Sequence, residues 1–412
     1  MSILAESIKL FSVIVLIVVL LRFRVDLGLT MFIASLTLSL LFRIGLKTVF
    51  YNIYLTIIDP ITLLLIGTVV FVYILSGILK RTRSMKEIVG SLQYMVNDYR
   101  LILFFIASFL GLIPMASGAM FSAPLAKEIG ESNQMSPEEI MLSNYWFRHV
   151  WEFIWPLVPG VVLYTSMIGI SSRELMVKQF PFSIFALLVG FAWMYLHIKK
   201  RNNNKNNKIE HSNFRLQLWA FLKSAWSILL IILLVMFFKV HLLIALLISI
   251  VLLMVVHRVS GTMFLEIVRH DIPVKVVAMI VGIMLFKQIL DTTNSLEPIS
   301  RFLSEIGINI WVILFLIPSL MGSLTGMTAG FVGVSFPIIL PLMMKNGSLN
   351  MSMAMFAYLA GFSGMMLSPM HLCFSLTVEY LQVDLTKLYK KLLPNVLILI
   401  IISSVYIFIF TQ

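Results

Sequence analysis

The chain is a succession of long apolar stretches separated by short polar ones. These stretches cover residues 3–21, 27–42, 60–79, 101–114, 139–167 and 181–198, then 214–238, 240–257, 274–290, 309–324, 351–378 and 394–411. A bilayer core about 30 Å thick needs roughly 20 apolar residues for each spanning helix. The pattern therefore predicts an all-α polytopic membrane protein.

A polar segment at 199–213 divides the chain into two halves that match each other. A shift of 213 positions aligns four proline pairs, which are Pro60 with Pro273, Pro124 with Pro337, Pro156 with Pro369, and Pro181 with Pro394. Because the chain has only 14 prolines, this agreement indicates an internal duplication. We expect a first repeat over residues 1–198, a cytoplasmic linker over 199–213 and a second repeat over 214–412.

Two of the apolar stretches run into segments dense in Gly, Ser, Thr and Pro, at about 101–128 and 309–344. Each pattern predicts a helix, a break at membrane depth and a short helix that returns to the same side. Such backbone is tolerated only inside protein or against a water-filled cavity. Five full crossings remain in each half, and an odd number turns the second half upside down. The sequence thus predicts two inverted repeats, each with five transmembrane helices and one re-entrant hairpin.

Composition and charge agree with a membrane protein and give its orientation. Sixty per cent of the residues are apolar and 12% are charged, against about 25% charged in soluble domains. The net charge of +12 comes from Lys and Arg clustered between apolar stretches, as at 80–83 and 199–201. Such clusters face the cytoplasm, which predicts both termini outside the plasma (inner) membrane. No basic stripe interleaved with aromatic residues occurs, so we expect the lipid bilayer and no nucleic acid as partner.

Broken helices in inverted repeats are typical of secondary transporters, whose solute binds where the repeats meet. Free N–H groups at a helix break suit an anion, and free C=O groups suit a cation. We predict that the hairpin tips and nearby polar groups bind a small anionic solute through Ala116, Ser117, Gly118, Ser122, Asn144, Thr325, Gly326, Thr328, Ser335 and Ser368. The alternative is that the small residues only allow tight helix packing.

Ionisable residues inside the apolar stretch at 139–167 are costly there and usually line a solute or proton path. Arg148 and Glu152 are four residues apart, so on a helix they can neutralise each other, and His149 can carry a proton. A proline frees a carbonyl that could bind Na⁺. The predicted ion-coupling residues are Arg148, His149, Glu152, Pro156, Pro369 and His371. A structural latch and simple proline kinks are the alternatives.

The single cysteine, Cys373, lies in an apolar stretch and is interpreted as a small buried hydrophobe. One cysteine forms neither an intramolecular disulfide nor a thiolate metal cage, so we expect no metal site and no cofactor beyond the coupling ion. The His149–Glu152 segment lacks the second histidine of a zinc protease helix. Ser363 is too far along a helix from His371 to be activated by it. We therefore expect no enzyme activity.

The string Asn-Tyr-Trp-Phe-Arg-His-Val-Trp-Glu at 144–152, followed by Trp-Pro-Leu-Val-Pro-Gly at 155–160, resembles the signature of a bacterial and archaeal membrane family of unknown function. The segments at 114–124 and 368–373 fit that family too. It is grouped in the ion-transporter superfamily with gluconate, citrate, dicarboxylate, lactate and arsenite carriers and some Na⁺/H⁺ antiporters. The resemblance implies paired re-entrant hairpins, a homodimer and an elevator-like movement. The Ser-Asn-Thr tip motif of the dicarboxylate branch is missing, so dicarboxylate specificity is not implied.

These observations together predict a secondary active transporter. We expect it to couple a cation, Na⁺ or H⁺, to the movement of a small organic anion by alternating access. The alternative is a Na⁺/H⁺ antiporter in which His149 and Glu152 exchange ions without an organic substrate. An intramembrane enzyme and a structural membrane subunit are less favoured.

Overall fold

The computed structural model describes residues 3–96, 98–113, 118–198, 214–293, 308–345 and 347–410. The predicted linker at 199–213 and the predicted tip residues Ala116 and Ser117 lie outside the described residues. Within those ranges the chain is almost wholly α-helical, which confirms the predicted all-α fold class. Two strands of two residues each, β1 (Met344–Lys345) and β2 (Ser348–Leu349), form one small antiparallel pair.

The helices of the first half are between 10 and 26 residues long. They are α1 (Ile3–Arg22), α2 (Leu27–Leu41), α3 (Leu46–Ile58), α4 (Pro60–Arg81), α5 (Ser84–Met95), α6 (Tyr99–Gly111), α7 (Ala119–Ser132), α8 (Pro137–His149), α9 (Pro159–Ile168) and α10 (Ser172–His197). Polar caps fix several of the starts. The Asp59 carboxylate, for example, accepts a 2.8 Å hydrogen bond from the backbone N–H of Thr62 in the first turn of α4.

The described helices of the second half follow next. They are α11 (Phe214–Met236), α12 (Leu242–Val256), α13 (Gly261–His270), α14 (Val274–Thr293), α15 (Ile310–Thr325), α16 (Thr328–Ile339), a short 3-10 helix (Leu340–Met343), α17 (Met351–Met366), α18 (Leu372–Leu381) and α19 (Leu385–Phe410). Shifting α9 and α10 by 213 positions gives the bounds of α18 and α19. This agreement supports the predicted duplication, whereas the inverted sense of the two copies stays a prediction.

Four of the described helices are long and apolar enough to cross a membrane, namely α4, α10, α11 and α19. Helices α13 and α14 meet at a 54° bend and pass the same test as one broken span. Several shorter apolar helices, α6, α9, α15 and α18 among them, accompany these. The protein is therefore a multi-pass membrane protein. The stretch at 139–167, predicted as one interrupted span, forms two separate helices, α8 and α9.

Helices of the first half pack directly on helices of the second half. Helix α2 packs on α14 and α4 packs on α12, while α9 contacts α16 and α7 contacts α18. At the α2–α14 crossing the backbones touch, since a Cβ added to Gly28 would lie 2.9 Å from the backbone of Ala278 and Met279. An ion pair between Arg81 and Asp271 joins α4 to the end of α13. The breaks after α8 and α17 lie within this intertwined core.

Candidate functional site

The first half contributes a helix that stops inside the protein. A capping box starts α8, because the Ser136 hydroxyl accepts from the Glu139 N–H and the Glu139 carboxylate accepts from the Ser136 N–H at 2.9 Å. The helix ends at His149, and turns lead to Pro159, which begins α9. Proline lacks the backbone donor that a continuous helix needs. Arg148, His149 and Glu152 therefore lie at or just after the end of α8.

The second half contributes an equivalent break between α17 and α18. The Ser368 hydroxyl donates to the carbonyl of Ser323 at 2.5 Å and accepts from the N–H of Met370 at 3.1 Å. The phenol of Tyr389 donates to the carbonyl of Leu367 at 2.9 Å. These bonds fix the connecting segment to α15 and α19. His371, the N-cap residue of α18, is thereby held at the boundary between the halves.

Two buried histidines meet across this boundary. The Nε2 atoms of His149 and His371 are 3.0 Å apart. The Nδ1 atom of His149 lies 2.6 Å from the carbonyl oxygen of Tyr145. Because a carbonyl oxygen only accepts, Nδ1 carries the proton in the neutral ring and Nε2 presents its lone pair to His371. The first half thus directs one nitrogen lone pair at the second half.

The Glu152 carboxylate is shared between the halves. Thr328, the first residue of α16, donates its hydroxyl to Oε2 at 2.5 Å, while Oε1 is 3.8 Å from His149 Nε2. The carboxylate therefore lies at the N-terminus of α16, where a negative charge is stabilised. Helix α8 ends at His149, so the four-residue spacing does not place Arg148 and Glu152 on one helical face, and their mutual neutralisation stays a prediction.

Arg148 is buried, at 6% exposure, and its Nη1 has no hydrogen-bond partner among the described residues. Its guanidinium lies directly on Gly118, since a Cβ added there would be 1.9 Å from Nη2. Gly118 precedes α7, whose N-terminus carries about half a positive charge. Two positive groups thus lie side by side in a buried space. This arrangement suits an anion that contacts both groups.

The turn between α15 and α16, which the sequence predicts as the second hairpin tip, reaches the same region. Gly326 has a φ of +61°, a left-handed conformation that glycine adopts without strain. A Cβ added at Gly326 would lie 2.5 Å from the backbone nitrogen of His371. The Thr325 hydroxyl donates to the carbonyl of Met321 at 2.7 Å. The tip is therefore packed on the segment that carries His371.

The remaining predicted residues have simpler surroundings. Ser122 is buried, and its hydroxyl donates to the carbonyl of Ala119 at 3.5 Å. Asn144 Oδ1 and Ser335 Oγ are buried, and neither has a hydrogen-bond partner among the residues described. Pro156 is buried in the turns after α8, and Pro369 is exposed in the break before α18. The cluster at the boundary therefore comprises Gly118, Arg148, His149, Glu152, Gly326, Thr328, Ser368 and His371.

Sequence reasoning missed two tyrosines and the cysteine. Tyr145 of α8 donates to the carbonyl of Met366 at 3.1 Å, and Tyr358 of α17 donates to the carbonyl of Glu152 at 2.6 Å. Each tyrosine therefore supports the break in the other half, and their alignment at the 213-residue shift was the available signal. The ligand atoms of His149, His371 and Cys373 lie within 4.8 Å of one another, which the apolar sequence around Cys373 does not indicate.

Comparisons with known proteins give a family and a fold. A family model described as "Protein of unknown function (DUF401)" matches residues 2–409. No curated protein matches the sequence. The crystal structure of the Alcanivorax borkumensis YdaH transporter, described as having an unusual topology, is similar over 88% of this chain and 88% of that chain, with a TM-score of 0.60 and 14% identity. At that identity the likeness establishes the fold alone. Membership of the ion-transporter superfamily stays a prediction.

Proposed function

The chain belongs to the family described as a protein of unknown function (DUF401), and we propose that it is a secondary active transporter for a small organic anion. In this proposal a cation, Na⁺ or H⁺, is coupled to the movement of the anion. The observation that carries it is the buried Arg148 guanidinium beside the N-terminus of α7. Its fold is similar to that of a solved transporter, which supports the same class of function.

The chemistry of Arg148 suits a carboxylate. A guanidinium offers five N–H donors in a planar fork and binds carboxylates with two parallel hydrogen bonds. A buried donor without a partner is costly, and Nη1 of Arg148 has none in the described part of the chain. An anion that accepts from Arg148 and from the first N–H groups of α7 would remove this cost. The absence of a side chain at Gly118 lets the guanidinium reach the N-terminus of α7.

Glu152 and the two helix breaks supply groups for the cation. A carboxylate that lies 3.8 Å from His149 Nε2 can exchange a proton with its surroundings or bind Na⁺. Carbonyl oxygens released at the breaks around Pro156 and Pro369 are further ligands for Na⁺. The same His149–Glu152 pair favours the second candidate, a Na⁺/H⁺ antiporter without an organic substrate. The two candidates differ in whether Arg148 binds an anion.

Enclosure of the site supports alternating access. Arg148, His149 and His371 are 6%, 2% and 6% exposed, so a solute reaches them only after a movement of the surrounding helices. We propose that the hairpins α6–α7 and α15–α16 move together with α8 and α17, against which they pack. An elevator-like displacement of this group and its assembly as a homodimer are parts of the proposal.

The test is the thermal stability of the purified protein with a panel of organic acids, each with and without Na⁺. A ligand that binds only the folded state stabilises it by about 2.7 kcal/mol at 100 times its Kd. We expect one class of carboxylate to raise the melting temperature, and Na⁺ or a change of pH to increase this effect. Arg148→Gln should abolish the response, and Arg148→Lys should weaken it.

Arg173→Gln is the matched control. Arg173 is an exposed arginine at the start of α10, so its replacement should leave the response to the acid unchanged. A carboxylate that stabilises Arg148→Gln as strongly as the parent protein would remove Arg148 from the binding site. Stabilisation by Na⁺ or pH alone, with no response to any acid, would favour the antiporter.

A further inference from the structure

Three side chains that bind transition metals converge at the boundary between the halves. His149 ends α8, His371 precedes α18, and Cys373 lies in the first turn of α18. Their ligand atoms are all within 4.8 Å of one another, and the two histidine Nε2 atoms are 3.0 Å apart. Two nitrogens bound to one tetrahedral zinc ion are separated by about 3.3 Å, given bond lengths of about 2.0–2.1 Å. The histidine pair already has nearly this spacing.

The hydrogen bonding of His149 fits a metal ligand. Its Nδ1–H donates to the Tyr145 carbonyl, so the Nε2 lone pair faces His371 and Cys373. Histidines that bind metals usually donate their other ring N–H to a carbonyl or carboxylate in this way, which fixes the tautomer. His371 Nδ1 is buried and has no hydrogen-bond partner among the described residues. Because His149 Nε2 presents a lone pair, His371 Nε2 carries the proton that joins the two rings, and metal binding would require that proton to move to Nδ1.

We propose that His149, His371 and Cys373 form a binding site for a divalent transition-metal ion of the zinc type. Imidazole nitrogen with thiolate sulfur favours such ions over Na⁺, Mg²⁺ or Ca²⁺, which prefer oxygen. Glu152 Oε1 lies 3.8 Å from His149 Nε2. The Cys373 thiolate as a ligand and the nearby Glu152 carboxylate together balance the two positive charges of the ion, so the positive charge of Arg148 stays available for an anion.

The metal would join the two halves. His149 and Glu152 belong to the first half, whereas His371 and Cys373 belong to the second, 222 positions away in the case of the two histidines. A bound ion holds the segments after α8 and α17 together, and both segments border the hairpin tips. The metal site shares His149 with the proposed cation site but uses none of the groups assigned to the anion, so metal binding and anion binding can fail separately.

Visible absorption of the purified protein loaded with Co²⁺ tests the site. A cobalt–thiolate bond gives a ligand-to-metal charge-transfer band, and Cys373 is the only cysteine in the chain. We expect one equivalent of Co²⁺ to give this band and Zn²⁺ to remove it by competition. Cys373→Ser should lose the charge-transfer band. His149→Ala and His371→Ala should each weaken Co²⁺ binding by at least about tenfold.

His270→Ala is the matched control, because His270 is exposed at the end of α13; its Co²⁺ spectrum should equal that of the parent protein. Gel filtration and the melting temperature without metal establish that each variant is folded. Cys373→Ser changes only one atom, so it serves even where an alanine variant fails to fold. Co²⁺ binding without a band that depends on Cys373, or no saturable binding at all, would overturn the proposal. Transport need not be measured.

Discussion

The Glu152 carboxylate contacts side chains from both halves of the protein. One carboxylate oxygen accepts from Thr328 in the second half and the other lies near His149 in the first. Glutamine has the same size and keeps an oxygen that accepts from Thr328, but it can neither bind a proton nor carry a negative charge. Glu152→Gln therefore separates the charge of this side chain from its packing.

Proteoliposome transport of Glu152→Gln distinguishes the two candidate functions. An antiporter that exchanges ions at Glu152 should lose its activity. A symporter that holds Na⁺ on backbone carbonyls should keep appreciable anion uptake, with a weaker dependence on pH. Glu174→Gln, at an exposed carboxylate 3.6 Å from Lys178, is the control and should transport normally. Full Na⁺/H⁺ exchange in Glu152→Gln would show that Glu152 does not couple ions.

At this scale the sequence could predict the ionisable residues of the site but not their partners. Arg148, His149 and Glu152 stand out because charge is costly in an apolar stretch. His149 meets His371 across 222 positions, and no local pattern encodes that contact. Cys373 has apolar neighbours in sequence and two imidazoles as neighbours in space, so sequence reasoning assigned it to packing.

Each hairpin helix packs on the broken helix that follows it, and glycine makes the approach possible. A Cβ on Gly111 of α6 would lie 2.0 Å from the carbonyl oxygen of Arg148, and one on Gly322 of α15 would lie 2.1 Å from that of Gly361. Gly361 aligns with Arg148 at the shift of 213. The two halves therefore share a backbone contact, although only the first carries a charged side chain there.

Gly322→Ala should destabilise the protein through this contact. The added methyl group meets backbone that has no alternative rotamer, and overpacking of this kind costs about 1–3 kcal/mol. We expect a melting temperature several degrees below that of the parent in detergent. Gly90→Ala is the control, because Gly90 lies within α5 with no atom within 4 Å of an added Cβ, and alanine favours helix there. Equal melting temperatures for the two variants would contradict the close approach of α15 and α17.

The sequence predicted the strongly apolar helices better than the mixed ones. Helices α3, α5 and α13 are absent from the predicted spans, because each combines apolar with polar or charged residues over 10 to 13 positions. Both interruptions near Pro156 and Pro369 were predicted from proline itself. The end of α8 at His149 was not, since nothing in the preceding residues Trp146 to His149 disfavours a helix.

For the whole molecule, the inverted sense of the halves is open to a direct test. Arg24 follows α1 and Lys239 follows α11; both are exposed and both have positive φ angles, of 60° and 55°. In an inverted duplication these equivalent positions face opposite sides of the membrane. With both termini outside, Arg24 is cytoplasmic and Lys239 is external.

Labelling of single cysteines reports these sides. Arg24→Cys and Lys239→Cys are each made in a Cys373→Ser background, which contains no other cysteine. A maleimide that does not cross membranes should label Lys239→Cys in intact cells and Arg24→Cys only after permeabilisation. Cys373→Ser alone is the blank. Equal labelling of both positions in intact cells would show that the halves are parallel.

The packing of first-half helices on second-half helices also constrains the order in which the protein can assemble. Helices α2 and α4 pack on α14 and α12, which the ribosome synthesises only after residues 1–198. When α10 has been inserted, the surfaces of α2 and α4 that later pack on the second half are still without those neighbours. Lipid or the insertion machinery must cover these surfaces until then. Assembly is therefore completed only after the second half has been inserted, and a translation product that ends after residue 198 lacks these packing partners.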